Sequence, residues 1–250
     1  MKNIIINADD FGLKPSVNLA IIELFKNNLI NSTTLMANMP SFEDAVEFAH
    51  NNHITDKIGI HLHLDEGYLL IPKTKTIAAQ KKVNRSILKI ERKNLFFLST
   101  HEKNSIYKEF SSQIERVKRS GINITHIDTH HHMHEIFPVT LIVLSLLKEY
   151  RIPTMRILNN LNSSSKLYKR IYRRSVNKYI ELKRANLSDY FGNQLQAISK
   201  LEIDKSLIKY KKLEIMVHPE YNNNGIIVDI FNNHEYSFDF LDKLAKFVSI

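Results

Sequence analysis

Five histidines and one aspartate are crowded into nine residues near the middle of the chain. The group consists of His126, Asp128, His130, His131, His132 and His134. Neutral imidazole is the commonest metal-binding side chain and carboxylates often accompany it, so the group is consistent with a metal site. A solvent-exposed loop that happens to be rich in histidine has the same composition. The metal hypothesis therefore needs partners from elsewhere in the chain.

Three other segments place similar side chains where predicted strands end. The apolar run near the N-terminus leads into Asp9 and Asp10, and a strand near the C-terminus ends in His218. His61 and His63 fall on one face of another strand, because alternate side chains share a face. Each of these has a simpler explanation, as a helix cap, a core histidine or a turn. Together they predict one site, since the carboxyl ends of parallel strands share a face.

Predicted strands and helices alternate along the chain. Hydrophobic periodicity and turn residues predict strands at 3–7, 33–38, 58–64, 124–127, 153–158 and 213–218, and helices at 15–25, 41–49, 102–120, 138–150, 167–187 and 238–248. This order is typical of parallel βαβ units in an α/β protein with one sheet or barrel. We find no internal repeat or linker, so residues 1–250 are predicted to form a single domain.

The lysine-rich segment 65–100 has no clear periodicity and follows the strand that carries His61. Long loops at this position often cover active sites. We therefore expect residues 65–100 to form an inserted loop region that covers the mouth of the barrel and helps to select the substrate.

Composition excludes several classes of protein. The chain has 250 residues and no cysteine, so a metal must be held by nitrogen and oxygen ligands. The net charge of +9 comes with a general excess of lysine rather than a focused patch, which argues against nucleic-acid binding. No signal peptide, membrane-spanning run or glycine-rich phosphate loop is present, so we expect a cytoplasmic protein without membrane or nucleotide partners.

The residues of these motifs resemble the YdjC-like carbohydrate deacetylases, a family that includes chitooligosaccharide deacetylase. The resemblance is carried by the motifs at 7–12 (Asn-Ala-Asp-Asp-Phe-Gly), 31–34, 59–62, 125–134 and 217–219, and by Arg156. Their order and spacing fit over nearly the whole chain. The motifs at 7–12 and 125–134 are long and specific, whereas His218-Pro219 alone would be weak.

The resemblance implies a distorted TIM-like (β/α) barrel and one divalent metal ion, Mg²⁺ or Zn²⁺, held by Asp10, His61 and His130. It further implies that Asp9 is the general base and that His218 is the general acid for the leaving amine. These roles agree with the chemistry, because three protein ligands leave positions open for water and for the acetyl oxygen.

Four further residues are expected to support the metal or bind substrate. Asp128 is placed to hold a ligand histidine by a hydrogen bond, and His63, His132 and Arg156 are candidates for similar supporting or substrate-binding roles. His63 departs from the family's pattern, in which a small residue is commoner, and Glu220 stands where glycine is frequent.

The predicted function is hydrolysis of the acetyl group of N-acetylated sugars, such as the N-acetylglucosamine units of chitooligosaccharides. One alternative is a two-metal phosphoester hydrolase, because His63, His131, His132 and His134 supply further ligands. Another is a non-catalytic protein that binds a metal or a sugar, although such a protein would not need Asp9 beside Asp10. The expected partner is a small carbohydrate, and the oligomeric state stays open, a homodimer included.

Overall fold

Seven parallel strands form a curled sheet that makes up half of a barrel in this α/β chain. The computed structural model describes residues 3–68, 70, 95–204, 207–231 and 234–235. The strands are β1 (Ile4–Phe11), β2 (Ser32–Leu35), β3 (Ile58–Leu62), β4 (His126–Thr129), β5 (Thr154–Met155), β6 (Tyr190–Asn193) and β7 (Leu213–Val217). Their order across the sheet is β5-β4-β3-β2-β1-β7-β6, and every neighbouring pair is parallel.

Helices connect the strands and cover the sheet. They are α1 (Pro15–Lys26), α2 (Phe42–Asn51), α3 (Thr100–Arg119), α4 (Phe137–Tyr150), α5 (Leu167–Leu182), α6 (Gln194–Ile203) and α7 (Leu207–Tyr210). Local chemistry fixes where several begin. Ser99 and Glu102 form a reciprocal capping box at the start of α3. A proline stands in the first turn of both α1 and α4, where its missing N–H costs nothing.

Several predicted elements are shorter in the structure than the sequence suggested, and two of them differ by four residues or more. The strand predicted at 153–158 covers only Thr154–Met155. The backbone of Leu158 leaves the sheet because its N–H and C=O form hydrogen bonds with the side-chain amide of Asn177. The helix predicted at 167–187 ends at Leu182, and Arg184 then adopts a positive φ of 55°. This turn brings the next residues to β5, where the Met155 N–H donates to the Ala185 carbonyl and the Met155 carbonyl accepts from the Leu187 N–H.

A small antiparallel sheet follows β7 at the carboxyl end of the main sheet. Its strands are β8 (Pro219–Tyr221), β9 (Ile227–Asp229) and β10 (His234–Glu235), in the order β10-β9-β8. The sequence did not predict this sheet, whose strands are only two or three residues long. It places the turn after β9 over the end of β7.

Parts of two expectations fall outside the described residues. The predicted helix 238–248 lies there entirely, and so do residues 69 and 71–94 of the predicted inserted region. The role of that region over the barrel mouth therefore stays a prediction. Among the helices that the structure describes, none combines the length and the apolar character needed to span a bilayer.

Candidate metal and catalytic site

The two adjacent aspartates at the end of β1 face different partners. Asp10 adopts a left-handed backbone with φ of 70°, and the pairing of β1 with β2 shifts register between Ala8 and Phe11. Neighbouring side chains of a regular strand point to opposite faces, so this irregularity lets both carboxylates reach the same end of the sheet.

Asp10, His61 and His130 converge at the carboxyl ends of β1, β3 and β4. Asp10 Oδ1 lies 3.3 Å from His61 Nε2 and 3.0 Å from His130 Nδ1, and the two nitrogens are 3.1 Å apart. Donors held about 2.1 Å from one ion are about 3.0 to 3.4 Å apart, depending on coordination geometry. Asp10 Oδ1 is buried and makes no well-formed hydrogen bond to any described residue. The spacing and this unsatisfied oxygen both fit a bound cation.

The charge around the three donors also fits a divalent cation. Burial alone would lower the pKa of His61 and His130, but nearby carboxylates outweigh it. Asp128 and Asp10 raise the pKa of His61 well above its usual range, and Asp10 and Glu66 raise that of His130 to about 9. The site therefore attracts positive charge, which two protons or one divalent ion can supply.

His61 is oriented by the neighbouring strand. It stands directly opposite Asp128 in the pairing of β3 with β4, and its Nδ1 lies 2.6 Å from Asp128 Oδ1. Thr34 on β2 donates to Asp128 Oδ2 at 3.1 Å. If His61 binds an ion, a proton on Nδ1 that is shared with Asp128 leaves the Nε2 lone pair available on the side of Asp10 and His130. This is the contact that the sequence analysis expected of Asp128.

Arg156 lies beneath the site and binds three carboxylates. It follows β5, is fully buried, and contacts Asp9, Asp128 and Glu214 at 2.6 to 2.7 Å. Its contacts with the two oxygens of Asp9 form a fork. Burial raises the pKa of Asp9, but Arg156 outweighs that effect and holds the pKa below its usual range. Arg156 therefore supports Asp9 from behind and does not line the cavity.

Glu214 is a member of this group that the sequence analysis missed. It is fully buried on β7, where Arg156 Nε lies 2.6 Å away and Ser188 Oγ lies 3.4 Å away. Burial raises the pKa of Glu214 to about 7, although Arg156 acts in the opposite direction. Strand alternation was a partial signal, because Glu214 shares a face of β7 with Met216, which lines the cavity, and His218 follows two residues later.

His218 borders the same cavity as His61 and His130, and it lies next to Asp9. Its Nε2 lies 3.8 Å from Asp9 Oδ2, and its ring packs edge-on against Phe231 at 4.4 Å. Asp229, on β9, accepts a bond from the His218 backbone N–H. The cavity measures about 270 Å³ and is lined by Asp9, His61, Thr129, His130, His131, His132, Asn193, Met216, His218, Asp229 and Phe231.

The histidine run forms a tight turn rather than a regular helix. His131 and His132 have consecutive positive φ angles of 51° and 53°. Left-handed backbone is uncommon for residues other than glycine and persists where the surrounding structure holds it. Thr129 bonds both the backbone N–H and the ring of His134, at 3.0 and 2.6 Å. The turn brings His130, His131 and His132 to the cavity wall.

The other candidate histidines occupy different positions. His132 lines the cavity with its ring against Phe191. His63 is buried behind His130, with ring centroids 6.3 Å apart, and lies outside the cavity lining. Burial lowers the pKa of His63 to about 3, with the charges of His130 and His61 acting in the same direction. His63 therefore packs as a neutral ring.

Sequence comparison with known families agrees with the motifs. A profile of the family described as "YdjC-like protein" matches residues 3–243. The chain belongs to the YdjC-like family. Several curated relatives are named carbohydrate deacetylase. That of Clostridium beijerinckii is 34% identical over 224 residues, which cover 90% of this chain and 84% of the relative. That of Oceanobacillus iheyensis is 30% identical over 243 residues, covering 93% and 90% respectively.

A solved structure supports the fold of this YdjC-like chain. A protein from Enterococcus faecalis V583, named provisionally for cellobiose-phosphate cleavage, superposes with a TM-score of 0.69. The match covers 98% of this chain and 94% of that one. Sequence identity is 20%, so the similarity concerns the fold alone.

Proposed function

We propose that this chain is a metal-dependent deacetylase that hydrolyses the N-acetyl group of N-acetylated sugars. The observation that carries the proposal is the grouping of the proposed ligands, base and acid beside one cavity. The donor triangle of Asp10, His61 and His130 lies beside an ionised Asp9, and Asp9 faces His218. The family membership and the names of the relatives point to the same reaction.

Asp10, His61 and His130 would hold the divalent ion. When bound, the ion polarises the acetyl carbonyl and lowers the pKa of the attacking water. Nitrogen and oxygen donors of this kind suit Zn²⁺, and Mg²⁺ is the second candidate. The remaining steps belong to the side chains of the cavity.

Asp9 accepts the proton of the attacking water through Oδ2. Its Oδ1 is already bonded by Asn7 and Arg156, whereas Oδ2 is bonded by Arg156 and faces His218 Nε2. Arg156 keeps the carboxylate ionised and fixes its plane.

His218 delivers a proton to the nitrogen of the departing sugar amine. An amine is a poor leaving group until it is protonated, and imidazole can carry a proton near neutral pH. His218 Nε2 lies 3.8 Å from Asp9 Oδ2, so a scissile C–N bond bound beside Asp9 can present its nitrogen to Nε2. Phe231 presents a ring at the rim, where a sugar face can pack.

The test is release of acetate from a panel of N-acetylated sugars, including chitooligosaccharides of two to six units. We expect release by the metal-loaded protein, loss after treatment with a chelator, and recovery when Zn²⁺ or Mg²⁺ is restored. Phosphorylated sugars assayed for phosphate release test the phosphoester alternative. Release of phosphate without acetate, or metal binding without either product, would contradict the proposed function.

We also propose that the half-barrel is a distorted TIM-like (β/α) barrel. The segment before β6 supports this, because Met155 on β5 bridges to Asn186 and β6 itself pairs with β7. That segment spans the opening between the two ends of the sheet. The cytoplasmic location and a homodimeric state stay predictions.

A further inference from the structure

Two carboxylates from the segment after β3 face the outer side of the histidine turn. Asp65 Oδ2 lies 2.7 Å from His131 Nδ1, and Glu66 Oε1 lies 3.5 Å from His130 Nε2. That Nε2 is a buried atom with no hydrogen-bond partner among the described residues. It is the ring nitrogen that points away from Asp10. Glu66 is therefore the carboxylate nearest to the unsatisfied side of a proposed metal ligand.

The backbone that carries these carboxylates is anchored to the sheet. Asn38, which follows β2, accepts from the Tyr68 N–H with its backbone oxygen and donates to the Tyr68 carbonyl with its side chain. Gly67 has a φ of 69°, and a Cβ there would lie 2.3 Å from Asn38 O, so only glycine allows this approach. The Leu70 N–H donates a hydrogen bond to the carboxylate of the buried Glu109. Asp65 and Glu66 are thus presented by a fixed loop.

His130 needs an acceptor on its outer nitrogen if it binds an ion through Nδ1. A neutral imidazole has one proton, which then sits on Nε2. Metal-bound histidines usually donate this second N–H to a carboxylate or carbonyl, which fixes the ring and increases its basicity. Asp128 already stands in this relation to His61. Within the described residues, Glu66 occupies the corresponding place for His130.

We propose that Glu66 is a positioning residue that accepts the Nε2–H of His130, and that Asp65 holds the strained turn by binding His131. The inference rests on the proposed metal site. It assigns a metal-orienting role to the beginning of the segment that sequence analysis expected to cover the barrel mouth and to help select the substrate. Glu66 does not touch the ion or the reacting atoms, and acts through His130.

The test measures Zn²⁺ affinity by competition with a chromophoric chelator. Glu66→Gln retains a weak acceptor and Glu66→Ala removes it, so we expect a graded loss that reaches about tenfold to hundredfold in the alanine variant. Glu47→Gln, an exposed glutamate on α2, removes the same charge and should leave the affinity unchanged. Melting temperatures of the metal-free variants should agree within about 2 °C, because Glu66 is half-exposed.

A second readout follows the proton itself. In the Zn²⁺-loaded protein with ¹⁵N-labelled histidine, the Nε2–H of His130 should give a signal protected from exchange with water, and Glu66→Ala should abolish it. Equal Zn²⁺ affinity in wild type and Glu66→Ala would overturn the inference while leaving the proposed function intact. Failure of the wild-type protein to bind either Zn²⁺ or Mg²⁺ would overturn both.

Discussion

Arg156 donates one N–H to each oxygen of Asp9, and both distances are 2.7 Å. The pair joins residues 147 positions apart, at the ends of β5 and β1. The same guanidinium reaches Asp128 and Glu214, so the proposed base and the support of a proposed metal ligand share one cation. Disturbing Arg156 should therefore alter catalysis and stability in separable ways.

Arg156→Lys tests the geometry of the fork. Lysine keeps the charge but cannot bond both oxygens of one carboxylate, so Asp9 should lose its fixed orientation. We expect kcat for acetate release to fall about 100-fold, with little change in bound metal. Arg156→Met leaves buried carboxylates without a partner and should lower the free energy of unfolding by about 3–5 kcal/mol. Turnover at the wild-type rate in Arg156→Lys would refute the orienting role.

Asp9→Asn and Asp10→Asn should separate the roles of the adjacent carboxylates. Asparagine cannot take the proton of water, so Asp9→Asn should retain metal and lose about two to four orders of magnitude in kcat. Asp10→Asn should bind metal more weakly and recover part of its activity in excess metal. A metal titration of both variants that measures bound metal and released acetate in parallel tests these roles. Loss of metal by Asp9→Asn and retention of metal by Asp10→Asn would mean that the two roles are reversed.

His218→Gln tests protonation of the leaving group. On N-acetylated sugars kcat should fall by about two to four orders of magnitude, because the amine departs only when protonated. On 4-nitrophenyl acetate, whose leaving group needs no proton, the loss should be much smaller. Steady-state rates on both substrates give the comparison. The same loss on the amide and the ester would exclude His218 as the acid.

Replacing Glu214 with glutamine should change how the stability of the protein depends on pH. Burial raises the folded pKa of Glu214 from 4.5 to about 7, so the folded state binds the extra proton between those values. Stability from Glu214 is therefore present below pH 4.5 and lost as pH rises to about 7, an effect of about 3 kcal/mol. Glutamine does not ionise, so the variant should not lose this stability. The unfolding free energy of the variant minus that of the wild type should therefore increase as the pH rises from 4.5 to about 7.

Chemical denaturation at several pH values measures this difference. The matched control is Glu202→Gln, an exposed glutamate on α6, whose difference from wild type should stay flat. A flat difference for Glu214→Gln as well would mean that Glu214 ionises normally in the folded protein.

Gly59→Ala should destabilise the protein through a single contact. A Cβ at Gly59 would lie 2.5 Å from the ring of His126, which is fully buried on the next strand. Such crowding typically costs about 1–3 kcal/mol. The control is the same change combined with His126→Ala, which removes the ring, so that Gly59→Ala should cost little in that background. Additive losses in the double variant would show that the ring contact is not the cause.

Sequence reasoning found the residues that stand at strand ends within recognisable motifs. Asp9, Asp10, His61, Asp128, His130 and His218 are brought together, because parallel strands align their carboxyl ends at one edge. Their proposed chemical roles stay predictions until they are tested. The alternating β1–β4 strands and the helices between them were also found, since their apolar periodicity is strong.

The residues that sequence reasoning missed act through long-range contacts. In the sequence, Glu214 is a single charged residue in an apolar strand. Its contact with Arg156 becomes visible only in the folded structure. Glu66 lies in a segment without periodicity, and its proximity to His130 depends on how Asn38 anchors the loop. The small sheet after β7 was missed because its strands are too short for an alternating pattern to be seen.

The left-handed backbone at Asp10 has a consequence for protein engineering. The two carboxylates meet different partners at one end of the sheet because the chain breaks its alternation between them, with the register of β1 against β2 shifting at that point. Transplanting an Asp-Asp pair onto a regular strand of another parallel sheet would point one carboxylate away from the cavity. Grafting this pair of carboxylates onto another protein would therefore require transfer of the irregular backbone of residues 8–11 together with the two side chains.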